Sequence, residues 1–268
     1  MSVFDVKTGT SPVILAFPHT GTDVPEDVWA KLNDNGKILA DTDWHIHEMY
    51  GDLLPDTSLV RALFHRYVID ANRDPSGQSL YPGQNTTGLV PDTDFDGKPI
   101  WNDGAEPDEA EIKRRYALFH VPYHQALKAE IDRVKAQHGV AVLYDCHSIR
   151  SRISFLFEGT LPDFNIGTNN GTTCDPRIEQ AVVDVCAHAD GFTSVLNGRF
   201  RGGWTTRHYS DIANNIHTIQ MELAQSSHLA SETPPFDYDA SHAAPLRRHL
   251  STILHNIEKI AFDLAKGN

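Results

Sequence analysis

The stretch Val140–Ser151 constrains this chain more than any other: an apolar run, Val140 to Leu143, followed closely by Asp145-Cys146-His147-Ser148. The run reads as a buried strand, with the polar quartet placed where the strand gives out. In open α/β sheets ligands bind beyond the carboxyl ends of strands, so polar residues there are candidates for chemistry. Side chains alternate along a strand, which puts Asp145 and His147 on one face. A carboxylate two residues before an imidazole is either a metal ligand or the outer partner that orients one. It is equally compatible with an Asp that caps the next loop beside an ordinary histidine.

Other segments repeat the pattern. Val13–Phe17 is a second buried strand, ending in Pro18-His19-Thr20-Gly21, and Thr22 or Asp23 is expected to cap a short helix containing Pro25. Asp41 to Tyr50 reads as a helix start with Asp41 or Thr42 as cap and with Asp43 and His47 on one face. Ser58–Leu63 and Tyr67–Ala71 read as strands, the second running into Asn72-Arg73, a pair able to clamp a carboxylate or to brace a loop. Residues 77–107 form a long Gly/Pro/Asn/Thr/Asp segment. Its interleaved Leu80, Tyr81, Leu89, Phe95, Ile100 and Trp101 predict an ordered loop at a site mouth.

From Pro107 to about His138, apolar residues recur at helical spacing, with a kink expected at Pro122. Two arginines, Arg150 and Arg152, follow His147. Ile153–Phe157 and Phe164–Thr168 read as short strands, and Asp175 caps a helix reaching about Ala189. The basic, glycine-rich stretch Asn197–Trp204, extended by Arg207 and Tyr209, lacks the helix start of a phosphate loop; substrate recognition or loop structure remains. Ile216–Leu223 alternates so that Thr218, Gln220 and Glu222 share a face. A buried Glu there is either a general base or half of a salt bridge. A packing helix from about Asp239 closes the chain.

Four predicted strand ends thus carry polar chemistry: His19, Asn72-Arg73, Asp145/His147 and Glu222. Two imidazoles and a carboxylate near Asp43 match a catalytic zinc pattern. With 268 residues the chain fits a single α/β domain spanning 1–268. Its 23 basic against 36 acidic residues give a net charge of −13, which argues against nucleic-acid or anionic-membrane partners. A small acidic substrate remains compatible, because a few arginines can dominate a pocket. Three cysteines without a CxxC pair exclude a disulfide scaffold, and the N-terminal residues show no leader, so cytoplasmic residence is the expectation.

The segments PHTG (18–21), DTDWH (41–45), RYVIDANR (66–73), LYPGQNTTGL (80–89), FDGKPIW (95–101), DCHSIRS (145–151), NGRFRGGWTTRHY (197–209) and HTIQMELAQ (217–225) closely resemble the N-formylglutamate amidohydrolase (N-formylglutamate deformylase) family of histidine degradation. That resemblance implies a single-domain three-layer α/β/α fold with a mixed sheet, like zinc carboxypeptidases and the phosphorylase/hydrolase-like folds. It implies a divalent metal, Zn²⁺ foremost, on His19, Asp43 and His147, with His45, Glu48 and Asp23 as rivals to Asp43. Asp145 would stand behind His147. Glu222 would be the general base and Asn72-Arg73 the substrate-carboxylate clamp. Arg150, Arg201 or Arg207 would meet a second carboxylate. The chain departs from the family pattern at Ser210–Asn215 and at Ser227-His228-Leu229, where a tyrosine is expected. Alternative readings are a related N-acyl-amino-acid deacylase, a small metallocarboxypeptidase, a non-catalytic dicarboxylate binder, or a hydrolase with Cys146 as nucleophile.

Overall fold

Apolar runs set the architecture of the computed structural model, which describes residues 2–78 and 83–267. Strands β1 (Phe4–Lys7), β2 (Val13–Phe17), β3 (Ser58–Ala62), β4 (Ala141–Ile149), β5 (Phe164–Gly167), β6 (Ser194–Leu196) and β7 (Ile216–Ala224) join in one sheet, in the order β1-β3-β2-β4-β7-β5-β6. β3, β2, β4 and β7 run parallel, while β1 pairs antiparallel with β3 and β5 antiparallel with β7. β2 and β4 are buried along their whole length, as strands covered on both faces must be. β1, at the edge, alternates between half-buried and exposed.

The helices are α1 (Glu26–Trp29), α2 (Ile46–Tyr50), α3 (Glu109–Arg115), α4 (Val121–His138), α5 (Pro176–Ala187), α6 (Trp204–His208) and α7 (Ala240–Lys266). One face of the sheet, through Val142, Tyr144, Cys146, Met221 and Leu223, packs against α2, α5 and α7. The other, through Ile14, Ala16, Ala141 and Leu143, packs against Tyr123, Leu127, Ile131 and Val134 of α4. The sheet therefore lies between two helical layers, the three-layer mixed α/β arrangement anticipated above. Each Leu or Ile fully buried in these layers contributes ~1.5–3 kcal/mol. Among the described residues no helix is long and apolar enough to cross a membrane.

Several local readings need correction. Asp145-Cys146-His147-Ser148 does not follow β4 but lies inside it, because the ladder with β7 runs unbroken from Ala141↔Ile216 to Ile149↔Ala224. Tyr67–Ala71 is buried yet not a strand: Val68 N donates to His65 O and Asp70 N to Leu89 O, so turns and the long loop satisfy its backbone. Ile153–Phe157 is likewise a turn, with Leu156 N and Phe157 N both donating to Ile153 O.

Neither Thr22 nor Asp23 caps α1; Pro25 holds that position, without a side-chain cap bond. α2 begins only after His45, which takes a left-handed conformation (φ 59°), so Asp41 and Thr42 do not cap it and Asp43 lies ahead of it. The long helix starts at Glu109 behind Asp108, and a π-helical turn at Tyr116–His120 divides it just before Pro122. The helix thought missing after the glycine-rich stretch is the single-turn α6. β1 was not anticipated. Leu80 and Tyr81 lie outside the described residues.

Candidate active site

Three chain segments meet where β2 and β4 approach one another. β2 delivers His19 at its carboxyl end, and the turn beyond needs Gly21, since a Cβ there would collide with the Leu63 carbonyl. The backbone N–H of Asp43 donates to His19 O at 3.0 Å, which brings the second segment alongside. β4 supplies His147, and the next residue's N–H (Ser148) donates to Asp43 Oδ2 at 3.1 Å. Backbone hydrogen bonds thus fix all three side chains relative to one another.

Asp43 Oδ2 lies 3.1 Å from His147 Nδ1 and 3.8 Å from His19 Nδ1. One donor atom from each of the three residues falls within 4.8 Å of the other two, and all three residues are buried. The far nitrogens are backed by carboxylates. His19 Nε2 pairs with Asp70 Oδ1 at 2.7 Å, and His147 Nε2 lies 3.1 Å from Asp145 Oδ1 and 3.2 Å from the Asn72 amide nitrogen. A proton held at His19 Nε2 by Asp70 leaves the His19 Nδ1 lone pair facing Asp43, the arrangement of a carboxylate–histidine–metal unit, while His147 Nε2 faces the donor end of the Asn72 amide.

The residues present fit a divalent cation. Asp43, Asp70, Asp145 and Glu222 are all buried here, and Asp145 Oδ1 has no well-directed hydrogen bond despite its closeness to His147. Burial acts to lower the pKa of His147, yet Asp145 and Asp43 outweigh it and hold it well above the ordinary value; the site attracts positive charge. Burial and Arg66 lower that of His19 against the pull of Asp70 and Asp43. Burial would raise the Asp70 carboxyl, but Arg66, Arg73 and His19 keep it well below its usual range. Two imidazoles and one carboxylate are donors that suit Zn²⁺ and leave a coordination position open.

Glu222 faces this cluster from β7, where it pairs in register with His147. Burial, with Asp43 and Asp145 nearby, pushes its carboxyl up to about 8 against the pull of His147 and Arg66. A cleft of about 580 Å³, counted to its open mouth, exposes His19, His147 and Glu222 together with Asn72, Arg73 and Phe95. Thr87 of the long loop lines it and accepts from Arg73 Nε (2.9 Å, backbone O) and NH2 (3.0 Å, Oγ1).

The rival carboxylates lie elsewhere: Asp23 is exposed, and Glu48 pairs with His45 Nδ1 at the surface. His45 Nε2 faces the Phe236 carbonyl instead of the cluster. Arg150, Arg201 and Arg207 are not brought into the cleft. Arg150 pairs with Asp96 at 3.2 Å, Arg201 Nε donates to Gly198 O and Arg207 Nε to Gly202 O. The arginines that line the cleft beside Arg73 are Arg66 and Arg199. Cys146 belongs to the opposite core, where burial raises its thiol pKa well above the ordinary value. At the position where a tyrosine was expected, His228 Nε2 is bonded to Trp44 O.

Arg66 and Asp70 were missed because Tyr67–Ala71 was read as a strand. Folded as turns, the segment closes an Arg66 NH2–Asp70 Oδ2 pair at 2.6 Å. The i,i+4 spacing of opposite charges was the available signal.

Residues 11–229 match the N-formylglutamate amidohydrolase family. The chain is 44% identical to N-formylglutamate deformylase of Pseudomonas putida over 94% of both chains. It is 42% identical to that of Pseudomonas aeruginosa over 95% of this chain and 96% of the other. Among solved structures, an N-formylglutamate amidohydrolase from Ralstonia eutropha JMP134 superposes over the full length of both chains with a TM-score of 0.79 and 22% identity. A gene product of Agrobacterium tumefaciens does so over 99% of this chain and 97% of its own, with a TM-score of 0.71 and 18% identity. These two likenesses concern the fold.

Proposed function

The chain belongs to the N-formylglutamate amidohydrolase family, and from that premise we propose that it hydrolyses N-formyl-L-glutamate to L-glutamate and formate. We place this reaction in the cytoplasm, as the deformylating step of histidine degradation, with residues 1–268 acting as a single domain. The observation that most supports the reading is the convergence of His19 Nδ1, Asp43 Oδ2 and His147 Nδ1 beside a buried Glu222.

His19, Asp43 and His147 would hold the metal, Zn²⁺, with Asp70 and Asp145 fixing the imidazoles from behind. A divalent cation held there would supply Lewis-acid chemistry, polarising a carbonyl and activating water for attack. Glu222 takes the proton of the attacking water and delivers it to the departing amine. Arg73 with Asn72 binds one substrate carboxylate, and Arg199 is the cleft arginine we assign to the other, in place of Arg150, Arg201 and Arg207. Phe95 and Leu156 wall the cleft and keep bulk water from the reacting bond.

The test is formate release from N-formyl-L-glutamate, measured together with metal content, before and after dialysis against chelator. Loss of activity on stripping and its return with Zn²⁺ are the expected results. Full turnover without metal, or a preference for N-acetyl-aspartate or short peptides, would overturn the assignment.

A further inference from the structure

Gln220, on β7 two residues before Glu222, has a different partner for each end of its amide. Its Oε1 accepts from the Gly203 backbone N–H at 2.7 Å. Because that partner is a donor, the oxygen must face it, and the amide cannot be flipped. Nε2 therefore turns the other way, where it donates to Glu222 Oε2 at 3.2 Å. Both side chains are buried, at 3% and 7% exposure, so water does not compete strongly for these bonds.

Gly203 is itself held in place. Just past it, Thr205 N donates to Asn72 Oδ1 at 2.8 Å and Thr206 Oγ1 to Asp145 Oδ2 at 3.2 Å. A Cβ on Gly203 would collide with the Asn72 side chain, so the loop comes this close only as glycine. The glycine-rich loop is thus tied to three site side chains, and Gln220 is the one that reaches Glu222.

We infer that Gln220 is a positioning residue that gives the two oxygens of Glu222 different tasks, an inference that rests on the deformylase reading above. Oε2 stays tied to Gln220 Nε2, and Oε1 carries the proton. As the water oxygen bonds to the formyl carbon, Oε1 receives one water proton. As the C–N bond breaks, its electron pair leaves with nitrogen, which takes that proton from Oε1. The second water proton, released as formic acid ionises, completes the ammonium group of glutamate.

Two variants separate the halves of the amide. Gln220→Glu keeps an acceptor for Gly203 but replaces the amide donor with a second carboxyl that must share a proton with Glu222; Gln220→Met keeps the length and loses both bonds. With N-formyl-L-glutamate, each variant is expected to retain its metal and its KM within about threefold while kcat falls about 10–100-fold. If Gln220 leaves Glu222 unaffected, Gln220→Met will keep the wild-type kcat and pH profile, or Gln220→Glu will keep the wild-type pH profile, and either result overturns the inference. Should Gln220→Met fail to fold, Gln220→Glu decides alone; failure of both to fold assigns the residue to folding and also overturns it. A wild-type enzyme that releases no formate defeats the deformylase reading itself, and this inference with it, whatever the variants do.

Discussion

Two groups of histidines flank the segment Ala71–Arg73, and among the described residues only one of them brings a carboxylate into the donor set a cation could use. His120 and His124 are closer together, at 4.3 Å between ring centroids, than His19 and His147 at 5.0 Å. Proximity is therefore not what separates the groups. His124 gives Nε2 to the Ala71 carbonyl and Nδ1 to the Tyr209 hydroxyl, and His120 gives Nε2 to the Arg73 carbonyl. With His208 they surround Trp204, and burial lowers the pKa of all three. Around His19 and His147 the partners are carboxylates instead, which pull both rings toward the charged form, and at His147 that pull outweighs burial. The lesson is that the groups behind the rings make the site.

The comparison breaks most visibly on metal content. Asp43→Ala and His147→Ala should each strip the metal and abolish formate release, whereas His124→Phe should leave the metal in place; equal loss in all three would erase the distinction. Next in size, Glu222→Gln should lower kcat by about 10²–10⁴ with metal retained. Near-wild-type turnover in that variant would remove Glu222 as the base. Asp70→Asn should weaken metal affinity about 10–100-fold, and unchanged affinity would mean that the carboxylate behind His19 is idle.

Arg73 lies between the two groups, its carbonyl held by His120 and its guanidinium lining the cleft. Arg73→Ala should raise KM about tenfold with a smaller change in kcat; an unchanged KM would refute the clamp.

The smallest effect concerns His124, whose pKa is lowered by burial and by His120 from 6.5 to about 3. Because the folded value lies below the unfolded one, the stability its neutral ring confers is full above about pH 6.5. It is lost as pH falls toward 3. His124→Phe should cost roughly 1–3 kcal/mol near neutrality and flatten that acid loss. An unaltered pH slope in urea unfolding would show that the ring does not set it.

Much of the site could be read from the chain. The alternation rule put Asp145 with His147, and Gln220 with Glu222, on shared faces, and the ladder bears that placement out. What failed had physical causes. Tyr67–Ala71 has the apolar density of a strand but packs against Leu89, Val90, Ile100 and Trp101, so composition reported burial and not ladder pairing. Asp41 and Thr42 do not cap because their polar atoms are engaged elsewhere: Tyr67 OH donates to Asp41 Oδ2, and Thr42 Oγ1 donates back to the Leu39 carbonyl three residues earlier. Arg199 could not be told from Arg201 or Arg207, since which basic residue of a glycine-rich stretch enters a cleft depends on contacts far along the chain.

His147 and Glu222 sit opposite one another in a ladder of nine residue pairs. Sliding either strand by a single position would turn its reactive side chain into the wrong core. β4 and β7 therefore act as a ruler: a one-residue insertion or deletion within either strand would part His147 from Glu222, whatever the lengths of the loops around them.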